Sequence, residues 1–259
     1  MKYQVYFVGN AGVLIKINNV TFLIDGFYSD EGTGFHVSPI PHCVKKDIFE
    51  EKGKLPNPDY IIFTHLHYDH FSGDLLKEYL KIHHPKKVVL PEGNTIGYRE
   101  CIALMKKRKI SYEILPQLHG QYELENNVEI TCFYTRHLGK QFLRTPHYCV
   151  YLNVFSTRLL VTSDMDFFSQ ELKSFWGKKL HGIFVNPLFY HNESGQNILK
   201  KIKYLERIFV YHLPEEKEDK YHLQKMVKRD IKKYDNENKA LFLTKPGKKY
   251  QIIVSSGGE

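Results

Sequence analysis

Thr64-His65-Leu66-His67-Tyr68-Asp69-His70 is the stretch that decides how this chain is read. Positions 65–70 hold three imidazoles and a carboxylate, all groups that bind divalent cations. On extended backbone alternate side chains share a face, so His65 and His67 can reach one ion, with Asp69 and His70 a step further along. The apolar run Tyr60-Ile61-Ile62-Phe63 just before it supplies a strand. Beyond it, Leu75, Leu76, Tyr79 and Leu80 fall at helical spacing, so the cluster occupies a strand-to-helix loop, where sites in layered α/β proteins lie. The competing reading is a turn that happens to be crowded with polar residues; so many histidines in so few positions count against it.

Four further apolar runs end in a residue of the same chemistry. Val20-Thr21-Phe22-Leu23-Ile24 leads into Asp25, Val128 to Tyr134 leads through Thr135 and Arg136 to His137, Arg158 to Ser163 leads to Asp164, and Ile208-Phe209-Val210-Tyr211 leads to His212. Phe71-Ser72-Gly73 completes the central motif. In kind and in order these residues resemble the metallo-β-lactamase superfamily and its THxHxDHxxG motif.

The resemblance implies a four-layer αββα sandwich, two mixed sheets face to face with helices outside and the metals at one rim. It implies that His65, His67 and His137 bind one metal ion, that Asp69, His70 and His212 bind a second, and that Asp164 bridges them, with Asp166 as competitor for that place. Asp25 would support the ligating imidazoles from behind, and Asp69 would orient the attacking hydroxide. The superfamily usually has Gly before the bridging Asp; this chain has Ser163. Two divalent ions sharing a hydroxide lower its pKa and polarise a substrate oxygen. Five imidazoles and two carboxylates suit zinc, and also accept manganese or iron.

Length and composition agree with one enzyme domain over residues 1–259, since 42% hydrophobic residues can bury a substantial core. The start lacks the apolar core of a signal peptide and no run reaches membrane-spanning length, so the expected location is cytoplasmic. Cys43, Cys101, Cys132 and Cys149 form no CxxC pair and read as reduced side chains. A formal charge of +8 comes from lysines dispersed through helical stretches such as Lys45 to Lys54 and Lys217 to Lys233. These read as solvated faces, and the excess favours a small anionic substrate by electrostatic steering over a nucleic-acid surface.

Strands are expected near Tyr3 to Val8, Val13 to Ile17 and Val20 to Ile24, followed by an irregular stretch from Phe27 to Lys45. Strand-helix alternation then begins, with helices near Leu75 to His84, Gly97 to Arg108 and Lys220 to Lys233. Residues 240–247 and 250–254 read as a closing hairpin or strand pair. Tyr28 to Cys43, with His36 and His42, reads equally as a lid or as a connecting loop. Asn186-Pro187-Leu188-Phe189-Tyr190-His191 follows an apolar strand, which makes Tyr190 and His191 candidates for a proton donor or a substrate contact.

His137 lies in Thr-Arg-His-Leu-Gly rather than the Pro-Gly-His of glyoxalase II-like enzymes and many homoserine lactone lactonases. The histidine context is similar to the ascorbate-phosphate lactonase-like and phosphodiesterase-like branches, which implies hydrolysis of a small phosphoester or lactone. A nuclease acting on RNA or DNA and a metal-binding protein without catalysis are the alternatives. Specificity lies in loops, which motifs do not read.

Overall fold

The most apolar strands sit where they are covered on both sides, and this decides the architecture. The computed structural model describes residues 2–30, 37–50, 53–116, 120–125 and 127–254. They form two compact units, one of Lys2–Pro116 with Lys245–Ile253, the other centred on Gln117–Thr244. Strands and helices are numbered below in chain order.

The first unit is built on β1 (Lys2–Gly9), β2 (Gly12–Ile17), β3 (Val20–Ile24), β4 (Tyr60–Ile62), β5 (Lys87–Pro91), β6 (Ser111–Leu115) and β16 (Lys249–Ile253). Their order in the sheet is β16-β1-β2-β3-β4-β5-β6. The strand read from Tyr60-Ile61-Ile62 is central and parallel to both neighbours, Ile61 pairing with Leu23 on one side and Val88 on the other. Parallel strands buried on both faces read as continuous apolar runs, and β3 and β4 are buried at every residue. Helices α1 (His42–Phe49), α2 (Gly73–Ile82) and α3 (Ile96–Arg108) supply the cover. On α2 the buried residues Leu76, Tyr79 and Leu80 follow helical spacing and join one core with Phe27, Ile61 and Phe63. Each such side chain contributes about 1.5–3 kcal/mol through burial.

The second unit carries β7 (Gly120–Glu125), β8 (Val128–Thr135), β9 (His147–Val154), β10 (Thr157–Val161), β12 (Gly182–Val185), β14 (Ile208–Val210) and β15 (Ala240–Phe242). The sheet runs β15-β14-β12-β10-β9-β8-β7, antiparallel from β7 to β10 and parallel from β10 to β15. A two-stranded ribbon, β11 (Lys179–Leu180) with β13 (Tyr204–Leu205), and helices α4 (Pro187–His191), α5 (Glu193–Lys201) and α6 (Leu223–Tyr234) complete it. Phe189, Leu199, Val210 and Val227 share its core.

Three readings are corrected. The irregular stretch ends at Pro41, because α1 begins at His42 and buries Val44 and Ile48 one turn apart. The helix near Lys220 starts at Leu223, where the Asp219 carboxylate accepts the N–H groups of Leu223 and Gln224, both at 2.8 Å. The last two strands are not a hairpin. β15 extends the second sheet parallel to β14, while β16 pairs antiparallel with β1. Between them Gly247, at φ +76°, donates its N–H to Phe7 O at 2.7 Å, so the turn at 245–248 returns the chain to the edge of the first sheet.

Candidate metal centre

In the first unit the ligand candidates follow β4, and Asp25 at the end of β3 organises them. The Asp25 carboxylate is fully buried and accepts the Thr64 N–H at 2.8 Å, the Thr64 hydroxyl at 2.6 Å and His70 Nδ1–H at 3.0 Å. The Thr64 hydroxyl spends its one proton on Asp25, so toward His65 Nδ1, 3.1 Å away, it can only accept. Both His65 and His70 therefore carry the proton on Nδ1 and present Nε2 as the lone-pair nitrogen, the tautomer a cation requires. Ligand atoms of His65, Asp69 and His70 lie within 4.8 Å of one another. His67 stands beside His65 with ring centroids 4.6 Å apart.

Local backbone explains why this loop holds its shape. His70 and Phe71 both donate N–H to His67 O, closing a helical turn, and Ser72 then caps α2 by accepting Leu75 N–H. Asn10 donates its side-chain amide to Asp69 O at 2.9 Å, which pins the candidate catalytic residue from a separate strand connection. The motif glycine has a packing role: a Cβ on Gly73 would come within 2.7 Å of the Gly97 backbone, so only glycine lets α2 approach α3 there.

In the second unit His137 follows β8, Asp164 follows β10 and His212 follows β14. The Asp164 carboxylate lies between two imidazoles, Oδ2 at 3.8 Å from His137 Nε2 and Oδ1 at 3.4 Å from His212 Nε2. His137 Nδ1 faces Leu138 O at 2.6 Å; a carbonyl only accepts, so here too the proton sits on Nδ1 and Nε2 carries the lone pair. Asp166 is used locally, accepting Phe168 N–H at 3.0 Å, with Arg136 3.9 Å from its other oxygen.

The donor set fits divalent cations on this chemistry: buried imidazoles with fixed tautomers and carboxylates between them. Tyr190 does not fit a substrate role, since it is 1% exposed within the second unit's core, and burial pushes its phenol above the usual range. His191 is paired with buried Asp230 at 2.7 Å and ties α4 to α6. Of the lid candidate, 31–36 with His36 lies outside the described residues, while Tyr28 is buried and donates to Ser38 O, and His42 opens α1. Sequence reading did not assign roles to Thr64, Asn10, Asn186 or His147. His147 is fully buried 5.4 Å from the His137 ring and bonded to the Thr135 hydroxyl at 2.7 Å. Asn186 donates to Ser163 O at 2.9 Å, bracing the turn that carries Asp164.

Comparison with known proteins agrees with this geometry. Residues 6–94 match the sequence model of the metallo-β-lactamase superfamily. The UPF0173 protein YddR of Bacillus subtilis is 33% identical over 104 residues, a match that spans 37% of this chain and 38% of that relative's length. The structure resembles that of isothiocyanate hydrolase from Delia radicum gut bacteria, with a TM-score of 0.66 at 13% identity over 98% of this chain and 100% of that one. It also resembles a possible metal-dependent hydrolase from Veillonella parvula, with a TM-score of 0.65 at 17% identity over 95% of this chain and 98% of that one. At these identities the likeness is one of fold, and it is the α/β fold of two mixed sheets with helices expected from the motifs. Residues 6–94 thus match the metallo-β-lactamase superfamily in sequence, and the described residues share the fold of these two solved structures.

Proposed function

We propose that this protein is a metal-dependent hydrolase that acts as one domain and cleaves a small phosphoester or lactone. In this reading His65, His67 and His137 hold one divalent ion, Asp69, His70 and His212 hold a second, and Asp164 serves both. The observation that carries it is the fixed tautomer of His65, His70 and His137, each with Nδ1 committed as donor to Thr64, Asp25 or Leu138. Such commitment leaves Nε2 of each ring available as a ligand atom, which is the arrangement of metal-ligating histidines. When bound, the ions supply Lewis-acid polarisation of the scissile group and acidify water.

The chain's own residues do the rest. Asp69, pinned through its carbonyl by Asn10, orients the attacking water and receives its proton. Asp25 and Thr64 hold the imidazoles so that no reorganisation is needed during reaction. The net charge of +8 draws an anionic substrate toward the protein. Zinc is the metal we favour, with manganese or iron accepted by the same donors. Among the described residues no helix is long and apolar enough to cross a membrane. The free cysteines Cys101, Cys132 and Cys149, all buried, support a reducing, cytoplasmic setting.

A second reading, cleavage of RNA or DNA, is favoured by one surface: α6 exposes Lys225, Lys228, Arg229, Lys232 and Lys233. Polynucleotide binding that weakens steeply with salt and survives chelation would support it. The deciding experiment is hydrolysis of a phosphodiester, a phosphomonoester and a lactone by the metal-loaded protein. Asp69→Ala should lose roughly 100- to 10,000-fold in rate on the accepted substrate while keeping its fold. Metal retention with no Asp69-dependent turnover of any substrate would overturn the enzyme reading in favour of a non-catalytic metal protein.

A further inference from the structure

The ring of His137 is bounded by more than its own hydrogen bond. The last torsion of a histidine side chain sits in a broad well, so an imidazole keeps one orientation only where neighbouring groups bound it. In the second unit two rings do so. Phe142, at the end of the 3₁₀ turn Lys140–Phe142, lies 5.0 Å from the His137 ring centroid at an interplanar angle of 60°, and His147 lies 5.4 Å from it at 83°. Both distances fall in the range of favourable edge-to-face pairs.

His147 is itself anchored. It opens β9 and pairs across the ladder with Thr135, the last residue of β8, so the two close the base of the loop 136–146 that carries His137. Both are fully buried, and the Thr135 hydroxyl lies 2.7 Å from His147 Nδ1. The same hydroxyl lies 3.6 Å from Cys149 Sγ, which reaches Thr162 O at 3.5 Å. A buried polar chain therefore runs from His147 to Thr162, which follows β10 two residues before Asp164. The main chain adds a second tie, Leu138 N–H to Asp164 O at 2.7 Å and Asp166 N–H to Arg136 O at 2.8 Å. These bonds fix where the His137 and Asp164 side chains start, and the direction of the His137 ring is left to Leu138 O, Phe142 and His147.

We propose that His147 is a positioning residue of the metal centre. Anchored on Thr135, it acts through His137 and, with Phe142, keeps His137 Nε2 aimed at its ion. The inference rests on the reading in which His137 binds metal, and adds to it a residue that touches neither the ion nor the substrate.

The test is zinc binding by the full chain, measured by competition with a chromophoric chelator. His147→Asn keeps a group able to pair with Thr135 but has no ring. It should weaken one zinc equivalent roughly tenfold and leave the other within about twofold of the wild type. His147→Phe keeps the ring and gives up the bond to Thr135, and should recover affinity to within about threefold of the wild type. Thermal midpoints of the metal-free variants establish that each is folded at the assay temperature. A role confined to stability would lower the midpoint of His147→Asn and leave its zinc affinity unchanged, and that result would overturn the proposal. Equal losses in the Asn and Phe variants, or equal weakening of both equivalents, would overturn it as well. A wild type that binds no zinc would refute the metal centre and this role with it, whereas a wild type and a His147→Asn variant that bind zinc equally would refute the role of His147 alone.

Discussion

Replacing Thr64 by Val removes one hydroxyl from the network that supports the ligand cluster and nothing else of similar importance. Valine matches threonine in shape and retains the backbone N–H that donates to Asp25 Oδ1 at 2.8 Å. The lost hydroxyl donates to Asp25 Oδ2 at 2.6 Å and accepts from His65 Nδ1 at 3.1 Å, and all three residues are fully buried. A hydrogen bond to a charged group contributes about 1.5–3 kcal/mol, and leaving the His65 N–H unsatisfied costs about 1–3 kcal/mol more. The total of about 2.5–6 kcal/mol corresponds to a fall of roughly 5–24 °C in thermal midpoint for a chain of this size. Zinc affinity should fall roughly 10- to 100-fold, because His65 loses the group that fixes its ring. Calorimetry gives the first quantity and competition with a chromophoric chelator the second. Thr64→Ser keeps the hydroxyl and should restore most of both. A Val variant with an unchanged midpoint and unchanged zinc affinity would refute the hub role of Thr64.

The remaining predictions concern the second unit and the cysteines. Asn186→Ala removes the α4 cap, Phe189 N–H to Asn186 Oδ1 at 2.8 Å, and strips Ser163 O of its donor, so urea unfolding should show a loss of about 2–4 kcal/mol; a wild-type midpoint would be incompatible with that bracing. His181 Nδ1 accepts the Arg158 N–H at 2.9 Å, and burial lowers its pKa from the ordinary 6.5. The folded state then binds fewer protons than the unfolded one, so this contribution is full above 6.5 and is lost as pH falls through and below it. The difference in unfolding free energy between wild type and His181→Asn, followed with pH, should narrow on acidification; a pH-independent difference would contradict the linkage. Burial pushes the Cys101 and Cys132 thiols up to about 12 and raises Cys149 as well, whereas Cys43 is exposed. A thiol reagent at neutral pH should therefore titrate one cysteine in the native protein and all four after denaturation.

What could be read from the sequence was what depends on local pattern. The strand at Tyr60-Ile61-Ile62 and the helix covering it were legible because buried parallel strands are apolar throughout and α2 repeats its apolar residues at helical spacing. The candidate ligands were legible because each ends such a run. The destination of the last two strands was not, since β15 and β16 are both short runs with a Pro-Gly turn between them. Pattern identifies a strand but not the sheet edge that receives it. The burial of Tyr190 was not legible for a related reason: Asn186-Pro187 starts a helical turn, and that turn directs Tyr190 into the core. Thr64 and Asn186 carry no signal of their own, because a threonine or asparagine at a strand end is common. Their roles arise only from the carboxylate or carbonyl that the fold brings opposite them.

Backbone conformation gives a reason why the chemistry gathers at strand ends in this chain. Asp25, Ser163 and His212 follow β3, β10 and β14, and all three adopt left-handed conformations, with φ at +49°, +48° and +59°. For residues other than glycine such a conformation costs on the order of 1–3 kcal/mol and persists only where the surroundings enforce it. At Asp25 and His212 the side chain is a candidate for the proposed metal centre, a role glycine could not fill. At Ser163 the side chain is not a ligand candidate, and the left-handed turn accounts for the glycine that the superfamily usually places before its bridging aspartate. Here Asn186 holds the turn instead, by donating to Ser163 O. A left-handed residue ends the strand abruptly and diverts the chain from the ladder. The side chains of Asp25 and His212, and of Asp164 one residue later, thus leave the end of the sheet rather than alternate between its faces. Strain at these three positions is thereby tied to the placement of carboxylate and imidazole, and the rigid buried strands on which they are mounted are what sustain it.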